Sequence, residues 1–410
     1  MRLPTGPLRL LVLATLVNTL GNGLWMASSA LFLTRSAGLS IGQTGVALTV
    51  TALVCMVASA PMGYLADRGG ARGVLVAGLI ALAAGTAALA LVGSVWTFLL
   101  VAVPMAIADA AQRAAKGAVI AGAVPADKRV HTRAYLRSVT NVGIAAGAAL
   151  AGVGLALDTR AAYLALIFGN AITYLAAAAM LSRLAPVPRS PKRADGPRLI
   201  ALRDRPFLAF VALDGLLSTH FGLFEVALPL WIAHRTDAPR WLIAVLFLTN
   251  TTVVVLFQVR AARGTDEPRG AARAARRAGL ALFAACALYA LSGSAHHGVT
   301  IALLVAGALT HVGAELWHSA SGWGISFGLA PPDAHGQYQG AYAIGMQLGQ
   351  MLAPFVVTTL AVGWGGPGWI VLGAAFALAG AAMPAVVGWA LRHRPFVTGP
   401  DHAATEPATA

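Results

Sequence analysis

Twelve apolar stretches run through this chain, each long enough to cross a bilayer, and no other feature restricts its fold so far. A helix crossing the hydrocarbon layer needs about 20 apolar residues. Such stretches lie near 8–33, 42–64, 74–93, 97–122, 136–157, 161–183, 207–233, 241–259, 279–294, 299–325, 338–361 and 367–391. The residues are 58% hydrophobic and only 11% charged, against about 25% charged in soluble domains, so most of the surface faces lipid. The expected fold class is an all-α polytopic membrane protein with twelve transmembrane helices.

A net charge of +14 in a soluble protein would suggest nucleic acid, but its distribution here points to the membrane. With the N-terminus cytoplasmic, the outer loops hold only Arg35, Arg160, Arg235 and Arg240 among the 29 Lys and Arg. Arg113 and Lys116 sit inside the fourth stretch, and the rest fall on the inner side. This asymmetry follows the positive-inside rule and predicts a multi-pass plasma-membrane protein with both termini cytoplasmic. The basic runs at 183–205 and 260–277 suit an anionic inner leaflet. The first stretch follows Arg2 and Arg9 but is too long for a signal-peptide core, so it reads as a retained helix. Cys55 and Cys286 lie in separate stretches, which argues against a disulfide framework.

The segment 185–206 carries Pro186, Pro188, Pro191 and Pro197 among basic residues. It reads as a cytoplasmic linker between a six-span unit at 1–184 and another at 207–394. The tail 395–410 is small, polar and aperiodic, and is expected to be disordered.

The loop after the second stretch reads Gly63-Tyr64-Leu65-Ala66-Asp67-Arg68-Gly69-Gly70-Ala71-Arg72. A carboxylate at Asp67 is suited to meet a helix N-terminus or an arginine, and the glycines to a tight turn. Gly, three residues, Asp, Arg, any residue, Gly, any residue and a basic residue resembles the signature loop of the major facilitator superfamily. The resemblance implies that Gly63, Asp67, Arg68, Gly70 and Arg72 form a conformational latch between two halves. Arg113 to Gly117 resembles the family's buried-arginine motif. Gly143, Gly147 and Gly152 resemble a glycine-rich motif of its proton-linked exporters, although Ala148 follows Gly147 where a Gly-Pro pair is usual. The corresponding loop of the second half, Arg260 to Gly264, lacks the acidic residue, and Gly336 to Gly340 is again family-like. The resemblance implies two pseudo-symmetric six-helix bundles, with spans one, four, seven and ten lining a cavity.

Ionisable groups inside a membrane are expensive and usually face a cavity or a partner. Away from the ends of the stretches they fall on span four (Asp109, Arg113, Lys116), span seven (Asp214, His220, Glu225) and span ten (His311, Glu315, His318), and spans three, six, nine and twelve carry none there. Helical spacing puts Asp109 and Arg113 on one face, Asp214, Ser218, Phe221 and Glu225 on another, and His311, Glu315 and His318 on a third. Asp109–Arg113 reads either as a structural ion pair or as a proton or substrate site. Asp214 lies near the inner end, where a carboxylate also reaches water. His220 falls off its stripe and reads as a packing residue. Glu225, with no basic neighbour on its helix, suits a proton carrier, as does a His–Glu hydrogen bond on span ten. Asn18, Asn22, Gln347 and Gln350 are candidate substrate contacts or interhelical hydrogen bonds. Trp25, Tyr342 and Trp317 are candidate cavity walls or packing residues.

These features predict a secondary transporter working by alternating access. No P-loop pattern is present, which favours an ion gradient, protons first. The expected partners are a small-molecule substrate, protons and lipid, with no cofactor or resident metal and a monomeric state. The resemblance favours the drug:proton antiporter branch and export of a drug-like molecule or secondary metabolite. Proton-coupled uptake of a nutrient is the alternative. More distant readings are a membrane enzyme with metal on His311, Glu315 and His318, and a sensor that has lost transport.

Overall fold

The computed structural model describes residues 7–157, 159–185 and 199–393. Most of the 185–206 linker and the whole 395–410 tail fall outside the described residues. Twelve helices are long and apolar enough to cross a membrane. In chain order they are α1 Pro7–Leu31, α2 Ile41–Gly69, α3 Ala71–Ala88, α4 Val95–Ala123, α5 Arg129–Leu157 and α6 Arg160–Leu181. Then come α7 Arg205–Arg235, α8 Trp241–Ala261, α9 Pro268–Ser292, α10 His297–Leu329, α11 His335–Gly363 and α12 Gly366–Arg392. α1–α6 pack into one bundle and α7–α12 into a second. The bundles meet through α2 against α11, α5 against α8, α4 against α11 and α5 against α10.

Two helices begin well before their apolar stretches. α9 starts at Pro268, inside what hydropathy reads as a basic loop, because Ala and Arg both propagate helix readily. Ala271, Ala272, Ala274, Ala275 and Ala278 are buried while Arg269, Arg273, Arg276 and Arg277 are exposed, the pattern of an amphipathic turn continuing out of the hydrocarbon. α5 likewise starts at Arg129, so Arg133 belongs to a membrane helix together with Arg137, which lies at the edge of the fifth stretch. α7 is interrupted by a π turn at Leu223–Ala227. Pro229 explains its place, since a proline removes the N–H that would bond the carbonyl of residue 225.

Close approach of backbones sets the geometry at two points. In the first bundle Gly147 of α5 lies against Leu20 and Gly23 of α1, where a Cβ would overlap the Leu20 carbonyl. Between bundles, a Cβ on Gly63 would overlap the carbonyl of Gly336, and one on Gly336 that of Gly63. Such pairs let α2 and α11 touch main chain to main chain.

Candidate functional site

The contact of α2 with α11 closes the end of the molecule that carries the basic loops. Asp67, only 7% exposed, accepts from the amides of Gly336 (2.7 Å) and Gln337 (3.0 Å). The N-cap residue of α11 is Ala334, which has no side chain able to cap. Asp67 therefore caps from the opposite bundle and sets a carboxylate at the positive end of a helix. Gly70 turns the chain with φ 91°. Arg68 lies over the Tyr64 ring at 4.8 Å, and Arg72 donates to the Leu184 carbonyl at 2.6 Å beyond the end of α6. Among the described residues, Asp67 alone of the charged latch residues bridges the bundles; the two arginines make their contacts within the first. Arg133 of α5 adds a second bridge, donating to Gln339 of α11 at 3.3 Å.

Above this closure lies a cavity of about 340 Å³. Arg137 and Asn141 reach it from α5, Glu225 and three aromatic walls from α7 and α8 (Phe221, Phe224, Phe247), and His311 and Glu315 from α10. Glu315 is held from two sides. Arg137 Nη2 donates to its Oε1 across the bundle boundary, and Asn250 Nδ2 of α8 donates to Oε2 at 3.0 Å. Arg137 also donates to Ser319 and rests over the Phe221 ring at 5.6 Å. Its charge is thus neutralised on the spot. Glu225 is exposed in the cavity wall, and among the described residues it makes no hydrogen bond or ion pair. The π turn that carries it is a form often found at functional positions.

Behind the cavity wall three imidazoles and a carboxylate form a file. His311 Nε2 is 3.0 Å from His220 Nδ1, His220 Nε2 is 3.1 Å from His318 Nδ1, and His318 Nε2 is 3.2 Å from Asp214 Oδ1. All four side chains are essentially buried. This corrects two expectations. Asp214 does not reach water, and His220 is the central link of a polar chain. It also separates the span-ten group. Offsets of four and seven leave Glu315 and His318 about 60° apart around the helix. Glu315 therefore turns to Arg137 and Asn250 while His311 and His318 turn to His220. Those three side chains do not converge as ligands of one metal would.

The remaining candidates lie elsewhere. Asp109 accepts from Arg113 Nε at 2.7 Å and from Gln112 at 2.9 Å, with Cys55 Sγ at 3.8 Å; the Arg113 side chain is 57% exposed. Asn18 is buried beside Gln112 and Lys116 in a separate small pocket. Asn22 accepts from Tyr174 at 3.0 Å, and Trp25 packs against Phe32 at 6.5 Å. Gln347 donates to Ser59 of α2 at 3.3 Å, a fourth link between bundles, and Gln350 is exposed. None of these lines the 340 Å³ cavity. Arg137, Asn250 and Ser319 are absent from the sequence-derived set. The available signal was the spacing of Arg129, Arg133 and Arg137, four residues apart and so on one helical face.

Two bundles of six crossing helices, closed against each other at one end and holding buried ionisable groups around a cavity, make a membrane transporter. Residues 11–310 match the profile of the Major Facilitator Superfamily, and the chain belongs to that superfamily. It is similar to a bacterial homologue of the iron transporter ferroportin in an outward-facing state. The identity is 13% and the TM-score 0.74, over 95% of this chain and 100% of that one. It is also similar to the human organic anion transporter MFSD10 (17%, 0.70, over 92% and 98%). The proton:xylose symporter XylE is similar at 14% and 0.70, over 93% and 95%. At these identities the likeness is one of fold. No curated protein matches the sequence.

Proposed function

We propose that this transporter exports an amphipathic organic cation in exchange for protons, and that Glu315 couples the two. The observation that carries the reading is the Arg137–Glu315 pair, which joins the bundles at the floor of the cavity. Neutralising one member of a buried pair removes the attraction that compensates desolvation of the other. A proton on Glu315 would therefore release Arg137 and loosen the closed end. The bundles 1–184 and 207–394 then rock apart about the 185–206 linker, exposing the cavity on the side of the termini.

The cavity's walls support the substrate class. Three phenylalanines provide an apolar body site and a cation-binding π surface, while Glu225 is a carboxylate without a cation. The volume is near the lower end of the range for drug-sized ligands. Direction follows from the membrane potential, worth about 2.3 kcal/mol per charge per 100 mV. An inside-negative potential already drives cations inward, so coupling to protons is needed only for export. Cytoplasmic termini in the plasma membrane, expected from the loop charges, make the closed end the inner one and the present state outward-facing. The reading takes the transporter as a monomer. Asp109 and Arg113 form a second charge pair in the first bundle, suited to sensing the same proton.

The test is accumulation of labelled lipophilic cations in cells stripped of their own exporters, with and without an uncoupler. Lower accumulation that the uncoupler abolishes, and that Glu315→Gln abolishes without loss of expression, is the expected result. Unchanged accumulation of cations, with neutral hydrophilic solutes taken up on a proton gradient instead, would overturn it. That second reading has support from Asn141, Asn250 and Thr251, which give the cavity a polar side.

A further inference from the structure

The file His311–His220–His318–Asp214 has a property that comes from counting protons. Asp214 as a carboxylate accepts from His318 Nε2–H, which leaves His318 Nδ1 as an acceptor. It accepts from His220 Nε2–H, and His220 Nδ1 in turn accepts from His311 Nε2–H. Every link is satisfied and all bonds run the same way, toward Asp214. The unmet capacity falls at the two ends, where His311 Nδ1 and Asp214 Oδ2 are buried without a hydrogen-bond partner. A neutral imidazole has one donor and one acceptor, so this polarity is the one that three neutral rings and one carboxylate permit.

One added proton has a second, equally complete arrangement. It forms an N–H bond at His311 Nδ1, and His311 gives its Nε2 proton to His220 Nδ1. His220 gives its own Nε2 proton to His318 Nδ1, and His318 gives its Nε2 proton to Asp214 Oδ1. Three rings have changed tautomer, one proton has been gained, and every link is kept with its direction reversed. The buried carboxylate is now neutral, which removes an ion from a low-dielectric site. No ring remains an imidazolium.

We propose that these four residues are a proton wire and store, filled at His311, whose ring borders the cavity, and holding a proton on Asp214. The groups facing it are Arg137 of α5 near His220, Glu315 near His311, Tyr289 of α9 beside His311, and Tyr342 of α11 beside Asp214. No step of the relay needs a charged ring at His220, so the proton passes through that position to the end of the file. Glu315 stands four residues from His311 on α10, which places the coupling carboxylate next to the mouth of the wire. The inference deepens the proton-coupling reading, and only its transport arm rests on that reading.

The test is ¹⁵N NMR of the full-length protein, histidine-labelled and held in detergent or nanodiscs, because the shift separates Nδ1–H, Nε2–H and imidazolium forms. On acidification His220, His311 and His318 are expected to pass from Nε2–H to Nδ1–H together, at one midpoint. In Asp214→Asn, where no proton store exists, all three stay Nε2–H. His220→Gln, which keeps both ends but cannot relay, leaves His311 and His318 with separate midpoints. An imidazolium at any of the three, independent midpoints in the wild type, or unaltered switching in Asp214→Asn would overturn the wire. The transport arm uses proteoliposomes with an imposed pH gradient and tetraphenylphosphonium as probe. His220→Gln is expected to reduce proton-driven movement by about a hundredfold, the scale of a lost proton-transfer group, while probe–probe exchange persists. Concerted switching without any movement of the cation sinks the proposed substrate class and leaves the wire standing. Full proton-driven movement in His220→Gln sinks the wire and leaves the coupling by Glu315.

Discussion

Glu315 and Arg137 illustrate how unequal the two ways of removing a buried pair are. Arg137→Ala leaves Glu315 with the Asn250 amide alone, a buried carboxylate without its cation. Losing one partner of such a pair costs about 3–5 kcal/mol, whereas replacing both with apolar groups of similar size is often neutral. Thermal unfolding in detergent is expected to show Arg137→Ala well below wild type and Arg137→Met/Glu315→Leu close to it, with transport lost in both. Equal destabilisation of the single and double variants would mean that the pair's role is packing. Glu315 is legible in the sequence as a carboxylate inside an apolar run. Its partner is not, because Arg137 lies at the very edge of the fifth apolar stretch, where an arginine also reaches the preceding loop. Only the fold shows that the α5 arginine enters the membrane opposite α10.

At the scale of the helix, α7 poses the clearest question. Its π turn puts an extra residue into one turn beside Pro229 and thereby fixes the direction in which Glu225 points. Pro229→Ala restores the missing donor, so the turn is expected to relax to ordinary α geometry. A proline inside a helix costs about 3 kcal/mol, and some of that is recovered, so the melting temperature should rise. Shedding the extra residue rotates the N-terminal part of α7 by about 100° relative to its C-terminal part, which misaligns Glu225 with the histidine file. Cation binding, measured by fluorescence quenching or scintillation proximity, is expected to fall while stability increases. A variant that binds as well as wild type would remove the π turn from the site. The existence and order of the twelve helices were readable from hydropathy alone, because lipid demands an apolar exterior. The starts of α5 and α9 were not, since arginines erase the apolar signal there: those of α9 face water while alanine keeps the helix going, and Arg133 and Arg137 of α5 turn to the other bundle.

For the whole molecule, the decisive balance is between the closed end and its opening, and Asp67 is the residue through which it can be shifted most cleanly. Among the described residues, the side-chain hydrogen bonds crossing between bundles run from mid-membrane to the basic end: Asp67 to α11, Arg133 to Gln339, Arg137 to Glu315 and Ser319, and Gln347 to Ser59. None of these lies toward the opposite end, so this is the set of side-chain hydrogen bonds that opening the molecule breaks. Asp67 contributes a helix cap made in trans, and a capping side chain is worth ~1–2 kcal/mol, a roughly 5–30-fold change in a two-state ratio. Asp67→Ala should therefore move a substantial fraction to the open form without unfolding either bundle, since its two hydrogen bonds both cross the boundary. Asp67→Asn, which still caps but has no charge, should fall between. Spin labels on Arg68→Cys and Pro332→Cys, both exposed and on opposite sides of the contact, would report a longer distance population by pulsed electron resonance, with Cys55 and Cys286 both buried. The order Ala, Asn, wild type in that population is what a latch requires. A distance distribution that stays unchanged in Asp67→Ala would mean that the Gly63–Gly336 backbone contact and the arginine bridges hold the end shut by themselves. The signature loop was recognisable from its spacing, yet the spacing could not say that its carboxylate substitutes for a missing cap at Ala334. Only the placement of the second bundle reveals that, which is why conformational balance is a property of the assembled pair of bundles and not of either loop.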